Sequence, residues 1–256
     1  MTAPLATLDD VAVRYPNGTL ALDRLSLGIQ AGELVSLVGA SGCGKSTALR
    51  VLAGLTEPTA GTLAWSDPAA RRDIGVVFQD ATLMPWASVV DNVWLPLRLS
   101  GVSRREAIGP ITGALTLVGL PDTGGLYPRE LSGGMAMRIS IARALVSRPR
   151  LLLMDEPFAA LDEITRHRLN DDLLAIQAAT GAAVVFVTHS VFEAAYLSDR
   201  IAVMRAPDGG PQLVGIVPGA GRGERPADFR TTPAYGAIAR EASAMLAHAM
   251  GGAVAA

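Results

Sequence analysis

The 256-residue chain has a single cysteine, Cys43. No intrachain disulfide is open to it, and a reducing, cytosolic compartment is the simplest reading. It has no basic excess either: 22 Lys and Arg against 24 Asp and Glu leave a formal charge of -2. So balanced a chain has no field to hold a phosphate polymer, which argues against a nucleic-acid partner. Long apolar runs are also missing. Half of the residues are apolar, yet the longest stretches, such as Ala182 to Val187, fall far short of the about 20 residues that cross a bilayer. The apolar content therefore belongs to a core, and work at a membrane would be done by docking. The first ten residues, MTAPLATLDD, hold no basic segment, so no signal peptide is expected. No internal repeat is visible, which points to one unit rather than a fused pair.

What is present reads as an α/β core with an N-terminal β layer and a helical insert. Val11, Val13 and Tyr15 alternate with polar or small neighbours, as do Leu25, Leu27 and Ile29. Pro16-Asn17-Gly18 between them is a hairpin signal, because Asn-Gly tolerates positive φ at both central positions. Apolar runs at 34–38, 74–78, 151–154, 183–187 and 201–204 suit parallel strands covered on both faces. Residues from about 91 to 146 are rich in helix formers. Residues 207–233 are rich in Gly, Pro and Arg and read as turns. A short helix is expected within 234–256, with Ile238, Met245 and Leu246 as apolar contacts and a frayed end at 251–256.

Three segments carry chemistry. Gly39-Ala40-Ser41-Gly42-Cys43-Gly44-Lys45-Ser46 fits G-x-x-x-x-G-K-[ST] between an apolar strand and a helix. Its glycines let backbone N–H groups wrap phosphates, and the helix N-terminus adds a favourable dipole. Lys45 would reach the β and γ phosphates, Ser46 would bind Mg²⁺, and Thr47 is a candidate for the α-phosphate. Cys43 reads as a small residue in the loop. Next, Leu151 to Met154 runs into Asp155-Glu156 at a strand's C-terminal edge, where open α/β sheets bind ligands. Asp155 would hold Mg²⁺ through water and Glu156 would polarise the attacking water. Alone, such a pair is often just solvated. Third, Leu131-Ser132-Gly133-Gly134 opens a helix with Met135, Ile139, Ala142 and Val146 at helical spacing. It is either a second anion site or a plain Ser132 N-cap.

With these in order, the sequence closely resembles the ATP-binding-cassette (ABC) ATPases, from about residue 5 to about 215. The resemblance identifies the three segments with the family's Walker A, Walker B and signature motifs. It likens Ala160-Leu161-Asp162 to the D-loop, His189 to the switch histidine, Phe78-Gln79 to the Q-loop and Tyr15 to the aromatic that stacks on adenine. It implies a P-loop NTPase core (1–217) with an ABC-specific helical insert, followed by a linker and tail (218–256). ATP and Mg²⁺ are the implied cofactors, with Gln79 a further metal contact and sensor of the γ-phosphate. Lys45, Gln79, Glu156 and His189 form the implied catalytic set. Two such domains would face head to tail. Ser132, Gly133, Gly134 and Asp162 would then act on the nucleotide held by a second copy or a homologous ATPase.

Two departures stand out: Met135 follows the signature where Gln is common, and Ser190 follows His189 where Asp is common. With Leu83-Met84-Pro85-Trp86 and Asp91-Asn92-Val93, they resemble one subgroup, the importers of nitrate, sulfonate, taurine and pyrimidine precursors. An exposed Trp86 would suit docking on permease subunits at the cytoplasmic face of the inner membrane, with an extracytoplasmic binding protein choosing the cargo. Three alternatives stay open: an importer ATPase of another subgroup, a soluble ABC ATPase acting in DNA repair or on ribosomes, and an inactive scaffold.

Overall fold

A computed structural model describes residues 3–207, 212–223 and 225–251. The chain opens with the antiparallel pair β1 (Ala6–Arg14) and β2 (Leu20–Ile29). Then come β3 (Leu34–Gly39), α1 (Lys45–Leu52), β4 (Ala60–Trp65) and β5 (Ile74–Val77). Three helices follow: α2 (Val89–Leu99), α3 (Arg104–Leu117) and α4 (Gly133–Leu145). The rest is β6 (Leu151–Asp155), α5 (Glu163–Thr180), β7 (Ala183–Thr188), α6 (Val191–Leu197), β8 (Arg200–Met204), β9 (Leu213–Pro218) and α7 (Pro233–Ala249).

The strands make two sheets. One is antiparallel in the order β2-β1-β4, and the other runs β5-β6-β7-β3-β8-β9. In the larger sheet only β9 is antiparallel to its neighbour. The period-two geometry of a strand explains its unbroken apolar runs. Leu151 and Leu153 enter the core shared with the antiparallel layer, while Leu152 and Met154 enter the core shared with the helices. Val185 and Val187 against Val184 and Phe186 divide in the same way. Both faces are dry, so no position is left for a polar alternation. On the helix side Phe186 meets Phe158 with ring centroids 5.5 Å apart, a pairing that adds about 1 kcal/mol to plain burial.

Several features differ from the sequence expectation. The hairpin loop spans 15–19, and only Gly18, at φ 87, takes the left-handed region; Asn17 does not. Tyr15 follows β1 rather than lying in it. β4 lies where no strand was expected. Its side chains are mostly exposed, so hydrophobic patterning is weak, and its pairing with β1 is long-range. β9 occupies part of the stretch read as turns, held by ladder bonds to β8. The C-terminal helix is 17 residues long, not short. It buries Tyr235, Ala239 and Ala242 in the helix-side core, with Ile238, Met245 and Leu246 packed against it. The expected fraying at 252–256 lies outside the described residues.

Candidate nucleotide site

The C-terminal ends of the parallel strands deliver the chemistry to one edge. β3 ends at Gly39, and α1 starts at Lys45. Between them the loop turns tightly. A Cβ on Gly39 would sit 2.5 Å from Cys43 Sγ and 2.6 Å from the Met204 carbonyl. Gly44, at φ 97, would put one 2.3 Å from the Ala21 carbonyl. These two glycines are therefore demanded by close approach of backbone. Cys43 is wholly buried, and burial pushes its thiol above the ordinary value. That agrees with a packing role for it.

Lys45 is buried and donates from Nζ to the carbonyls of Gly39 (2.8 Å) and Ala40 (3.0 Å). The ammonium is thereby folded onto its own loop. Ser46 donates to Asp155 Oδ1 at 3.0 Å, joining the start of α1 to the end of β6. Glu156 follows at φ 50, a left-handed conformation that costs a non-glycine residue about 1 kcal/mol. Its amide donates to the Val187 carbonyl on β7. The carboxylate then lies 2.6 Å, Oε1 to Nε2, from His189 just past that strand.

Thr19, Leu20, Ala21, Ser41, Gly42, Gly44, Lys45, Ser46, Thr47, Glu156 and His189 line one cavity of about 260 Å³. The Tyr15 hydroxyl lies 3.3 Å from Thr47 Oγ1 at its margin. So the structure brings together Tyr15, the loop 39–47, Asp155, Glu156 and His189. Gln79 stands apart. It is exposed just beyond β5, and its side chain makes no hydrogen bond among the described residues. Ser132, Gly133 and Gly134 do not line this cavity either. Ser132 caps α4 by accepting from the Met135 amide at 3.3 Å. A Cβ on Gly134 would meet Thr165 Cγ2 at 2.9 Å. Asp162 caps α5 by accepting from the Thr165 amide at 2.9 Å, and that bond holds its carboxyl below the usual range.

Some supporting groups carry no motif. Gln212 is fully buried beside β9 and donates to the Cys43 carbonyl, bracing the loop from behind. Thr188 donates to Glu193 and accepts from the Ser190 amide, so the residues on both sides of His189 are tied down. Arg166 donates to the carbonyls of Phe158 and Leu161 and faces Glu193 at 3.7 Å. Such contacts are set by tertiary proximity, with no motif in the sequence to mark them.

Among the described residues no group of three or more His, Cys, Asp or Glu is placed to hold a metal. Ser46 and Asp155 offer two hard oxygens beside the phosphate loop. That small set suits Mg²⁺, which keeps waters and takes its remaining ligands from phosphates.

Residues 22–159 match the ABC transporter family. A taurine import ATP-binding protein of Rhizobium johnstonii is 46% identical over 196 residues, covering 75% of each chain. A nitrate import ATP-binding protein of Synechocystis is 41% identical over 214 residues, covering 82% of this chain and 80% of the relative. Among solved structures, a dimeric ATP-binding cassette in a post-hydrolysis state with ADP and Pi superposes with a TM-score of 0.71 at 32% identity. That likeness covers 83% of this chain and 98% of the other. With the phosphate loop, the paired carboxylates and the histidine gathered at one sheet edge, the chain belongs to the ABC transporter family and is an ATP-hydrolysing cassette.

Proposed function

We propose that the chain drives an importer of a small nutrient, nitrate-, sulfonate- or taurine-like or a pyrimidine precursor. It would work as a pair of ATPases beneath permease subunits at the cytoplasmic face of the inner membrane. One observation carries the catalytic reading: Glu156 and His189 touch each other on the wall of the cavity that Lys45 and Ser46 line. Residues 1–217 supply every group assigned below, and 218–256 form the tail.

ATP enters with its phosphates against the amides of 39–47 and its adenine toward Tyr15. Lys45 exchanges its two loop carbonyls for β and γ phosphate oxygens, which keeps its charge solvated throughout. Mg²⁺, held by Ser46 and by Asp155 through water, with Gln79 as a further contact, would neutralise phosphate charge. Glu156 takes a proton from the attacking water. His189 hydrogen-bonds the γ-phosphate and orients that carboxylate. Water oxygen bonds to the γ-phosphorus as the bond to the β-bridging oxygen breaks, giving ADP and phosphate. The signature and Asp162 lie off this cavity, which fits action on the nucleotide of a partner copy. Closure on ATP and opening after hydrolysis then follow from the bridging γ-phosphate. Gln79 reports that state toward the permease, and cargo is chosen by the permease and an extracytoplasmic binding protein.

The names of the taurine and nitrate import relatives support the importer reading. No helix of the described residues is long and apolar enough to cross a membrane. Purification of the native complex tests this. A multi-span protein and ATP-dependent uptake of a small anion or pyrimidine are expected. A chain that never associates with membranes would overturn the transport reading.

A further inference from the structure

The support of the chain changes between the sheet and Trp86. β5 ends at Val77. Phe78, Gln79 and Asp80 are exposed, and their side chains make no hydrogen bond among the described residues. From Ala81 onward the chain is held by the helical insert. Arg143, in the last turn of α4, donates to the Ala81 carbonyl, the Thr82 carbonyl and Thr82 Oγ1, each at 2.9 Å. A planar guanidinium fixes all three acceptors in one geometry. It does so around Thr82 at φ 46, a conformation that β-branched residues seldom adopt. Next, Leu83 packs against the helix-side core.

Asn92, on α2 and wholly buried, completes the hold. Its Oδ1 accepts from the Met84 amide at 2.7 Å. Its Nδ2 shares its hydrogens among the carbonyls of Met84, Ala87 and Ser88 at 3.1–3.2 Å. Trp86, 77% exposed, stands at the tip of the loop so built. Among the described residues no hydrogen bond ties 81–88 to a strand of the large sheet. α2 and α4 pack on each other, and α4 carries the signature at its other end. From Gly133 to Arg143 is a rigid rod of about 15 Å.

We propose that Arg143 and Asn92 are positioning residues that lock the Trp86 loop to the signature helix, leaving 78–80 as the joint with the sheet. A displacement of Ser132 to Gly134 by the partner's ATP is then delivered to Trp86 through α4. This rests on the dimer and on Trp86 as the permease contact. Arg143 touches no nucleotide group, so its loss spares the chemistry and breaks the transmission.

The test uses the full chain in two steps. Without nucleotide, hydrogen exchange compares the parent with Arg143→Ala and Arg143→Lys. Loss of the clamp is expected to speed exchange of the Met84 and Ala87 amides about tenfold or more in the Ala variant and less in the Lys variant, with β6 and β7 unchanged. Equal exchange in all three proteins overturns the clamp. In the second step a fluorophore is placed through Trp86→Cys, since Cys43 is buried and the new thiol alone is exposed. Glu156→Gln is added to hold ATP, and dimerisation is followed by sedimentation. The expected result is an ATP-dependent fluorescence change that Arg143→Ala abolishes while the dimer still forms. An undiminished change in that variant overturns the proposal. Failure of the Arg143-intact protein to dimerise instead overturns the head-to-tail reading beneath it.

Discussion

Replacing Glu156 by Gln separates chemistry from folding with little collateral change. The carboxamide keeps the volume and an oxygen able to face His189 across the 2.6 Å contact. It keeps the same φ of 50, so the backbone strain is common to both proteins. Thermal stability should shift by less than about 0.5 kcal/mol. What disappears is a basic oxygen able to take a proton. General-base catalysis supplies about 10²–10⁴ in rate, or about 3–5 kcal/mol of barrier. Steady-state phosphate release at saturating ATP should fall by that factor. ATP affinity should hold, because Lys45 and the loop amides are untouched, and a closed dimer should accumulate on sizing columns. Turnover within threefold of the parent would refute Glu156 as the base. Lost ATP binding would refute the claim that it acts only in the chemical step.

Gly44→Ala and Gly42→Ala make a matched pair, since both glycines have positive φ but only Gly44 would drive a Cβ into a carbonyl, at 2.3 Å. Gly42→Ala should cost about 1 kcal/mol of stability and Gly44→Ala at least twice that, with a larger loss of ATP affinity, as read by thermal melts and nucleotide titration. Burial keeps the Cys43 thiol protonated, so maleimide at pH 8 should label the folded chain far more slowly than the urea-unfolded one; equal rates would contradict the packing role. Burial also raises the Glu193 carboxyl above its ordinary value of 4.5, against opposing help from Thr188 and Arg166. Its folded pKa exceeds its unfolded one, so its contribution is present in acid and lost as pH rises between the two. Glu193→Gln should therefore show a melting-temperature advantage that opens above about pH 4.5 and closes below it. A gap independent of pH would refute the buried-charge account.

The shape of the candidate nucleotide site was legible because a strand–loop–helix turn is a local affair. Gly39, Gly44 and Lys45 act through one loop and the helix that follows it, so their spacing reports their geometry. The two-sided strands were legible for a similar reason, since Leu151 to Met154 can only be buried on both faces. β4 was not, because Ala60 to Trp65 is mostly exposed and owes its form to β1. Gly61 marks it only in retrospect: a Cβ there would meet the Asp10 carbonyl at 2.3 Å, where β1 bulges. The length of α7 was hidden as well. Tyr235, Ala239 and Ala242 read as a weak pattern until α6, β8 and β9 supply the surface they cover. Asp91-Asn92-Val93 and Leu83 to Trp86 stood out only as a resemblance, and Arg143 sat inside plain helical sequence, with nothing local to show that it and Asn92 hold that loop.

β5, the strand that leads into residues 78–80, lies at the outer edge of its sheet, paired among the described residues with β6 alone, through four residues. An edge strand is the cheapest part of such a sheet to deform. β5 is therefore easier to deform than the interior strands β3 and β6, which present Gly39 and Asp155. Changes that stiffen β5 would raise heat resistance and slow the cycle together. Homologues adapted to hot or cold surroundings should accordingly differ most in this strand, while their phosphate loops stay alike.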